Sequence, residues 1–416
     1  MKKLLCIVLV MMMAFATLAG CTAKTDTAAA GEAADTTEET TETATEATSS
    51  DDETIKVGIL GPHTGDYAVY GLAVKNGAQL YIDQVNAAGG VNGKQIETIV
   101  YDNKGDSTEA ITAFTRMVDE GITALIGDVL TGNTMAVVGE AYPINMPMIT
   151  ASATAAAVTY DETTGTTYSN VFRTCFIDPF QGEKMAEYAA DKLGASTAAV
   201  LTMTGNDYSV GLADAFKAKC EEIGITLVAE EGYSEGDVDF KSQLTNILAA
   251  APDVVFCPNY YQDDGMIVTQ AREIGLTATF LGGDGWAGVS AYASAEDLEG
   301  SYFCSAYAPG STDAVKAFEE AYTAAYGADS LNMFAATAYD AAMVLVAALT
   351  KAEESGAAPA SDEYKQAIID GIKSEGASVE GITSETGYTF DEYNNPIKSA
   401  VIMTVADGAE TFKETY

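Results

Sequence analysis

Residues 280–288 read FLGGDGWAG and join a carboxylate, Asp284, to a literal G-x-G-x-x-G at Gly283, Gly285 and Gly288. Two chemistries fit such a run. One is a phosphate cradle; the other is a carboxylate brought close to a cationic ligand by backbone that has no Cβ in the way. A dinucleotide cradle needs its glycines in the first strand-to-helix turn, an acid about twenty residues later and a full helix directly after. Here the acid lies inside the glycine cluster, the run comes late in the chain, and VSAYAS after it is a short helix at best. Asp284 is therefore not read as part of a dinucleotide cradle, and its role, surface turn residue or ligand partner, stays open at this point; the chain is expected not to be an enzyme, and no cofactor is expected. His63 is the only histidine. Its place beside Gly61-Pro62 predicts a solvated residue, which argues against a histidine-based triad or metal cluster, and no metal is expected.

Other polar residues fall where strands give way to helices. In IGDVLTGNT, Thr131 and Gly132 offer a hydroxyl and the unpaired N–H groups of a helix start, where an anion fits, although such a hydroxyl also caps helices. In ITASATAA, Ser152 and Thr154 supply hydroxyls that a ligand or a simple turn would use equally well. Trp286 lies near enough to Asp284 to line a pocket rim or to pack against a hinge.

The bulk composition narrows the partners. With 61 acidic against 21 basic residues the formal charge is -40, which repels phosphate backbones and makes nucleic acid a poor partner. A length of 416 residues at 48% hydrophobic content supports two domains with separate cores. The start has the form of an export signal: Lys2 and Lys3, then the apolar run 4–15, too short to span a bilayer comfortably. It ends in Leu18-Ala19-Gly20-Cys21, which resembles the lipobox of bacterial lipoproteins and implies a diacylated Cys21 as the mature first residue. The segment after it, to residue 54, is almost all Thr, Ala, Glu, Asp and Ser, and reads as a disordered, self-repelling tether. The most apolar later stretch, around 335–349, is interrupted by Tyr339-Asp340 and predicts a core helix. Anchoring to the outer side of the cell membrane through lipid is thus expected. Cys175, Cys220, Cys257 and Cys304 have no CxxC spacing, and their pairing stays open between free thiols and disulfides.

The elements that must position these side chains alternate. IKVGIL, KQIETIVYD and ITALIG read as strands, and GLAVKNGAQLYIDQVNAAGG and STEAITAFTRMVDEG as helices. Strands separated by helices pair in parallel through right-handed crossovers, giving α/β, doubly wound sheets. After a Thr/Ala-rich loop to about Asn170, the alternation restarts near residue 175 with PFQGEKMAEYAADKLG and TAAVLTM. Two α/β halves predict a cleft between lobes, where strand C-termini and helix N-termini converge on a ligand.

The blocks GPHTGDYAVYG (61–71) and NGAQLYIDQVNAAGGVNGKQIETIVYDNKGDSTEA (76–110), followed later by QAREIGL and FLGGDGW, resemble the type I periplasmic binding proteins that serve ABC importers of branched-chain amino acids. The resemblance covers residues 55–416. It implies two lobes joined by a three-segment hinge, with crossings near 174–178, 303–307 and 383–388. Around a signal peptide (1–20) and tether (21–54), lobe one would combine 55–174 with 305–382, and lobe two 175–304 with 383–416. It further implies a monomer that delivers its ligand to a membrane permease.

A zwitterionic amino acid must have both its charges satisfied once desolvated. By resemblance, Thr131 with Gly132 take the carboxylate; Ser152 with Thr154 supply backbone and hydroxyl groups to carboxylate and ammonium; Asp284 pairs with the ammonium; Tyr70, Tyr208 and Tyr260 wall the side-chain pocket. Of the adjacent pair Tyr260 and Tyr261, strand-end alternation lets only one face the cleft, and Tyr260 is the choice. Asp284 is shorter than the glutamate that leucine-type binders often carry, so a binder of an amide, urea or aromatic acid on the same fold is the alternative.

Overall fold

The computed structural model describes residues 54–384 and 386–416. The expected signal segment, Cys21 and the tether as far as residue 53 lie outside the described residues; Thr54 already opens the first strand. In chain order the first half runs β1 (Thr54–Gly61), α1 (Ala68–Ala87), β2 (Gln95–Asp102), α2 (Ser107–Asp119), β3 (Ala124–Ile126), α3 (Thr131–Ala141) and β4 (Met148–Thr150). A small hairpin of β5 (Tyr160–Asp161) and β6 (Thr166–Thr167) precedes β7 (Val171–Arg173). The second half runs α4 (Asp178–Asp191), β8 (Thr197–Met203), α5 (Asp207–Ile223), β9 (Thr226–Tyr233), α6 (Lys241–Ala250), β10 (Val254–Phe256), α7 (Tyr261–Glu273), β11 (Thr279–Gly282), α8 (Ala295–Leu298) and β12 (Tyr302–Ser305). Then come α9 (Asp313–Tyr326), α10 (Met333–Glu354), α11 (Asp362–Glu375), β13 (Val401–Ala406) and β14 (Ala409–Thr415).

Two sheets form, in the orders β2-β1-β3-β4-β7 and β14-β13-β12-β11-β10-β8-β9. The first is parallel throughout. The second is parallel from β9 to β12, but β13 and β14 return antiparallel. The parallel expectation misses this edge for a local reason. Asp407 and Gly408 both lie at positive φ, the conformation of a two-residue hairpin turn, and such a turn joins only antiparallel strands. The region expected as plain loop, 151–170, likewise contains the β5–β6 hairpin, turned at Gly165.

Helix boundaries follow capping chemistry. Asp106 accepts from the N–H groups of Thr108 and Glu109 at the start of α2, and Asn206 from Ser209 N–H at the start of α5, whose far end stops at left-handed Gly224. The apolar helix α10 meets the length and composition of a membrane span, but packs between α1 and α11 with most of its residues buried. Gly77 lets α1 approach it closely, since a Cβ there would collide with the Ala335 backbone.

The chain passes between the halves after β7, after β12 and before β13. Near these passages, Lys398 Nζ donates to Thr174 O (2.9 Å) and to the Tyr388 hydroxyl (3.0 Å), while the Asp340 carboxylate accepts from Thr383 N–H (2.8 Å) and Tyr388 OH (2.6 Å). The Asn394 amide donates to Tyr168 O (3.1 Å) and Val171 O (3.0 Å), so this stretch still lies against the first sheet. Cys175, Cys220, Cys257 and Cys304 are all buried and unpaired.

Candidate functional site

The cleft is built by strand ends. In parallel α/β sheets the C-terminal ends of strands and the N-terminal ends of the following helices leave free backbone groups pointing at a shared space. Thr131 follows β3, Ser152 follows β4, Tyr208 follows β8, Tyr260 follows β10 and Asp284 follows β11. These five, with Tyr70, Val129, Leu130, Gly285 and Phe334, line one chamber of about 20 Å³. That is room for little more than a water molecule, so a ligand of any size needs the lining to move apart.

Asp284 is the one ionisable carboxylate in the lining. It is buried, and Gln181 grips it twice: the amide Nε2 donates to Oδ1 at 3.1 Å, and Asp284 N–H donates back to Oε1 at 2.9 Å. Among the described residues its Oδ2, which is buried, has no partner. Burial, opposed by the Gln181 and Tyr208 hydrogen bonds, raises its pKa to about 6. Gly285 beside it has its N–H on the Tyr208 hydroxyl (2.7 Å) and its carbonyl on the Tyr70 hydroxyl, which joins the two halves. A Cβ at Gly285 would clash with Asn259 O and sit 2.7 Å from that tyrosine oxygen, so glycine is required by close approach.

Opposite lies the start of α3. The residue in the capping position is Leu130, with no side-chain cap, and Thr131 is the first helical residue, buried. Its hydroxyl is therefore not spent on capping, and the first N–H groups of α3 lack intrahelical acceptors. Ser152 uses its hydroxyl on Val129 O (2.8 Å), so its remaining capacity toward the chamber is as an acceptor and through its backbone. The walls are aromatic: Tyr208 stacks on Tyr260 (centroids 5.1 Å apart, 8° between planes), and Tyr70 meets Tyr260 and Phe334 edge-on at 6.0 and 4.9 Å.

Not every residue predicted from sequence reaches this chamber. Gly132 is exposed and outside its lining, so only its backbone at the helix start remains relevant. Thr154 is buried but one step removed, its carbonyl accepting Asp178 N–H at 3.0 Å. Tyr260 faces the chamber; Tyr261 instead donates to Asp66 O and packs edge-on against Tyr70. Trp286 is fully buried, with Nε1 on Cys257 O (2.8 Å) and its ring stacked against Phe303 of the expected crossing 303–307, so it packs beside that segment and does not line the chamber. His63 corrects the expectation of a solvated side chain. It is half-buried, and burial plus nearby Lys75 push its imidazole down to about 4 despite Asp102, so it is neutral at pH 7. Sequence reasoning missed Gln181, Val129, Leu130 and Phe334. Only Gln181 carried a signal, as a polar residue in the first turn of the helix opening the second half.

The sequence profile described as "Periplasmic binding protein" matches residues 54–410. A Leu/Ile/Val-binding protein of Rhizobium johnstonii is 32% identical over 321 residues, 76% of this chain and 84% of its own. A leucine-, isoleucine-, valine-, threonine- and alanine-binding protein of Pseudomonas aeruginosa is 32% identical over 304 residues, 73% and 80% of the two chains. Among solved structures, the branched-chain amino acid transporter substrate-binding protein of Streptococcus pneumoniae, in complex with isoleucine, is 33% identical with a TM-score of 0.77, covering 87% of this chain and 99% of that one. With matching sequence blocks, two wound sheets and a chamber at their strand ends, this chain belongs to the periplasmic binding protein family.

Proposed function

We propose that this chain is the extracytoplasmic ligand-binding component of an ABC importer, and that its chamber takes a branched-chain amino acid. The observation that carries this reading is Asp284 Oδ2: a buried acceptor without a partner, in a chamber whose other end is the start of a helix. A ligand that satisfies both ends bears an ammonium and a carboxylate. The aromatic and aliphatic wall of Tyr70, Val129, Leu130, Tyr208, Tyr260 and Phe334 then takes an apolar side chain. In this reading Thr131 and the α3 amides, including that of Gly132, hold the carboxylate, and the Ser152 hydroxyl, which still accepts, serves the ammonium; Thr154 supports the loop behind them.

The reaction is closure without covalent chemistry: contacts from both halves shift an open-closed equilibrium toward closed. We assign lobe one to 55–174 plus 305–382 and lobe two to 175–304 plus the chain's end. The last crossing is set at about residue 398 instead of 383–388, because Asn394 bonds to the β7 side. Cys21 is proposed to carry lipid and residues 22–53 to tether a monomer near its permease.

Calorimetric titration with the twenty amino acids tests the ligand class. Saturable binding of isoleucine, leucine or valine is expected; silence for all branched-chain and small polar amino acids rules it out. An amide or urea donates only a neutral N–H to Asp284 Oδ2 and an aromatic carboxylate donates nothing to it, so none needs Asp284 as an ammonium partner, and binding of one of these with no amino acid bound would favour that alternative.

A further inference from the structure

The halves also touch one residue beyond the chamber lining. The turn between β1 and α1, in the first half, leaves Asp66 exposed, and Tyr67 after it meets Tyr260 of the lining edge-on at 5.2 Å. Two side chains from the first turn of α7, in the second half, donate to the Asp66 carbonyl: Tyr261 through its hydroxyl, and Gln262 through Nε2 at 2.6 Å. Asp66, Tyr261 and Gln262 are all outside the chamber lining, so they meet away from the space a ligand would fill.

Both donors are braced. The Tyr261 ring packs edge-on against Tyr70 at 4.8 Å and against Tyr292 at 4.9 Å, and Gln262 Nε2 also donates to the Tyr292 hydroxyl at 3.3 Å. Tyr292 in turn lies flush on α7, because a Cβ at Gly265 would sit 2.6 Å from its Cβ. On the other side, Gly65 at φ +85° turns the chain and presents the next carbonyl. That oxygen uses both lone pairs on groups from the opposite half, a pairing that exists only while α7 and the β1–α1 turn are together.

We infer that Tyr261 and Gln262 form a latch with the Asp66 carbonyl, and that the latch sets how long the closed state lasts. It rests on the proposed closure of the two lobes and adds the residues that tune it. A contact made only in the closed state raises that state's population, and apparent affinity scales with the population. The gain is one common factor for every ligand, since the latch touches none. Because it forms after the ligand has entered, its loss acts on release and not on capture.

Two measurements on the full chain compare wild type with Gln262→Ala combined with Tyr261→Phe, which keeps the ring. In stopped-flow exchange the substitutions should speed isoleucine release by at least about fivefold, leave association within about twofold, and weaken isoleucine, leucine and valine equally. The melting temperature of the ligand-free protein should stay within about 2 °C, which a merely structural role inside one half would not allow. The second measurement needs no amino acid. Spin labels at Asp83→Cys on α1 and Glu273→Cys on α7 sit at exposed positions on the two helices that start at the latch, while Cys175, Cys220, Cys257 and Cys304 are buried. Ligand-free wild type should show a short-distance population that the latch substitutions diminish. Unchanged release, unequal losses among the three amino acids, a lowered ligand-free melting temperature, or identical ligand-free distances in the two proteins would overturn the latch. If wild type binds no branched-chain amino acid, the ligand class falls, and the label distances alone decide the latch.

Discussion

At the scale of single residues, the chamber rests on one carboxylate oxygen and one uncommitted hydroxyl. Replacing Asp284 by Asn keeps its volume but removes the charge, and a lost charged hydrogen bond in a buried site costs about 2–4 kcal/mol. Isoleucine affinity should therefore fall by roughly 30-fold to 1,000-fold by calorimetry. Thr131→Ala should separate binding from capping. Because Leu130 holds the capping position, the substitution should leave the melting temperature nearly unchanged while weakening isoleucine by about 1 kcal/mol. The pH dependence follows from the raised pKa of Asp284, about 6 in the folded protein without ligand. Since the ammonium needs the ionised form, affinity should be flat above pH 7 and decline below about 6, approaching tenfold per pH unit. Stability of the ligand-free protein has the opposite sign for this group: a carboxyl with a raised folded pKa holds its proton more tightly folded than unfolded, so its contribution falls as pH rises from about 4 to about 6. Asp284 and Thr131 were singled out through the family resemblance, since residue type alone reads equally as a turn and a helix cap; the structure places both in the chamber lining. Gln181 carried only the signal of a polar residue in a first turn, and its pairing with Asp284 was not legible because the two bonds join positions 103 residues apart.

At the scale of elements, the site is a property of strand ends held in register. Thr131, Ser152, Tyr208, Tyr260 and Asp284 each follow a strand, and parallel pairing aligns those ends in each half. Gly285 shows how tight the alignment is. Gly285→Ala should destabilise by about 1–3 kcal/mol through collision with Asn259 O and the Tyr208 hydroxyl, and should weaken isoleucine as well, measured by denaturant unfolding and titration on the same preparation. The alternation of apolar strands and amphipathic helices made the wound sheets readable from sequence. The antiparallel edge was less visible because its signal is a single Asp407-Gly408 turn, and the β5–β6 strands are two residues each, too short for any periodicity. For Trp286 the sequence left two places open, because proximity to Asp284 says nothing about direction; its ring turns to Cys257 and to Phe303 of the crossing segment.

At the scale of the whole molecule, two halves meet around the chamber, and Tyr70 from one bonds to Gly285 of the other. Closure should therefore be driven by ligand: small-angle scattering of ligand-stripped protein should show a smaller radius of gyration on adding isoleucine, and the change should be lost in Tyr70→Ala together with Asp284→Asn. The two-lobe plan was legible because the α/β alternation restarts. The crossing proposed at about residue 398 has no local signature, since it rests on Asn394 reaching the carbonyls at 168 and 171. The most direct measurement of the central claim compares L-isoleucine with 3-methylpentanoate, the same molecule without its amino group, on unfolded and refolded protein freed of cargo. If Asp284 Oδ2 receives an ammonium, the amino acid should bind at least a hundredfold more tightly than the acid, and Asp284→Asn should shrink that ratio. Equal affinity for the two, unaltered by the substitution, would contradict it.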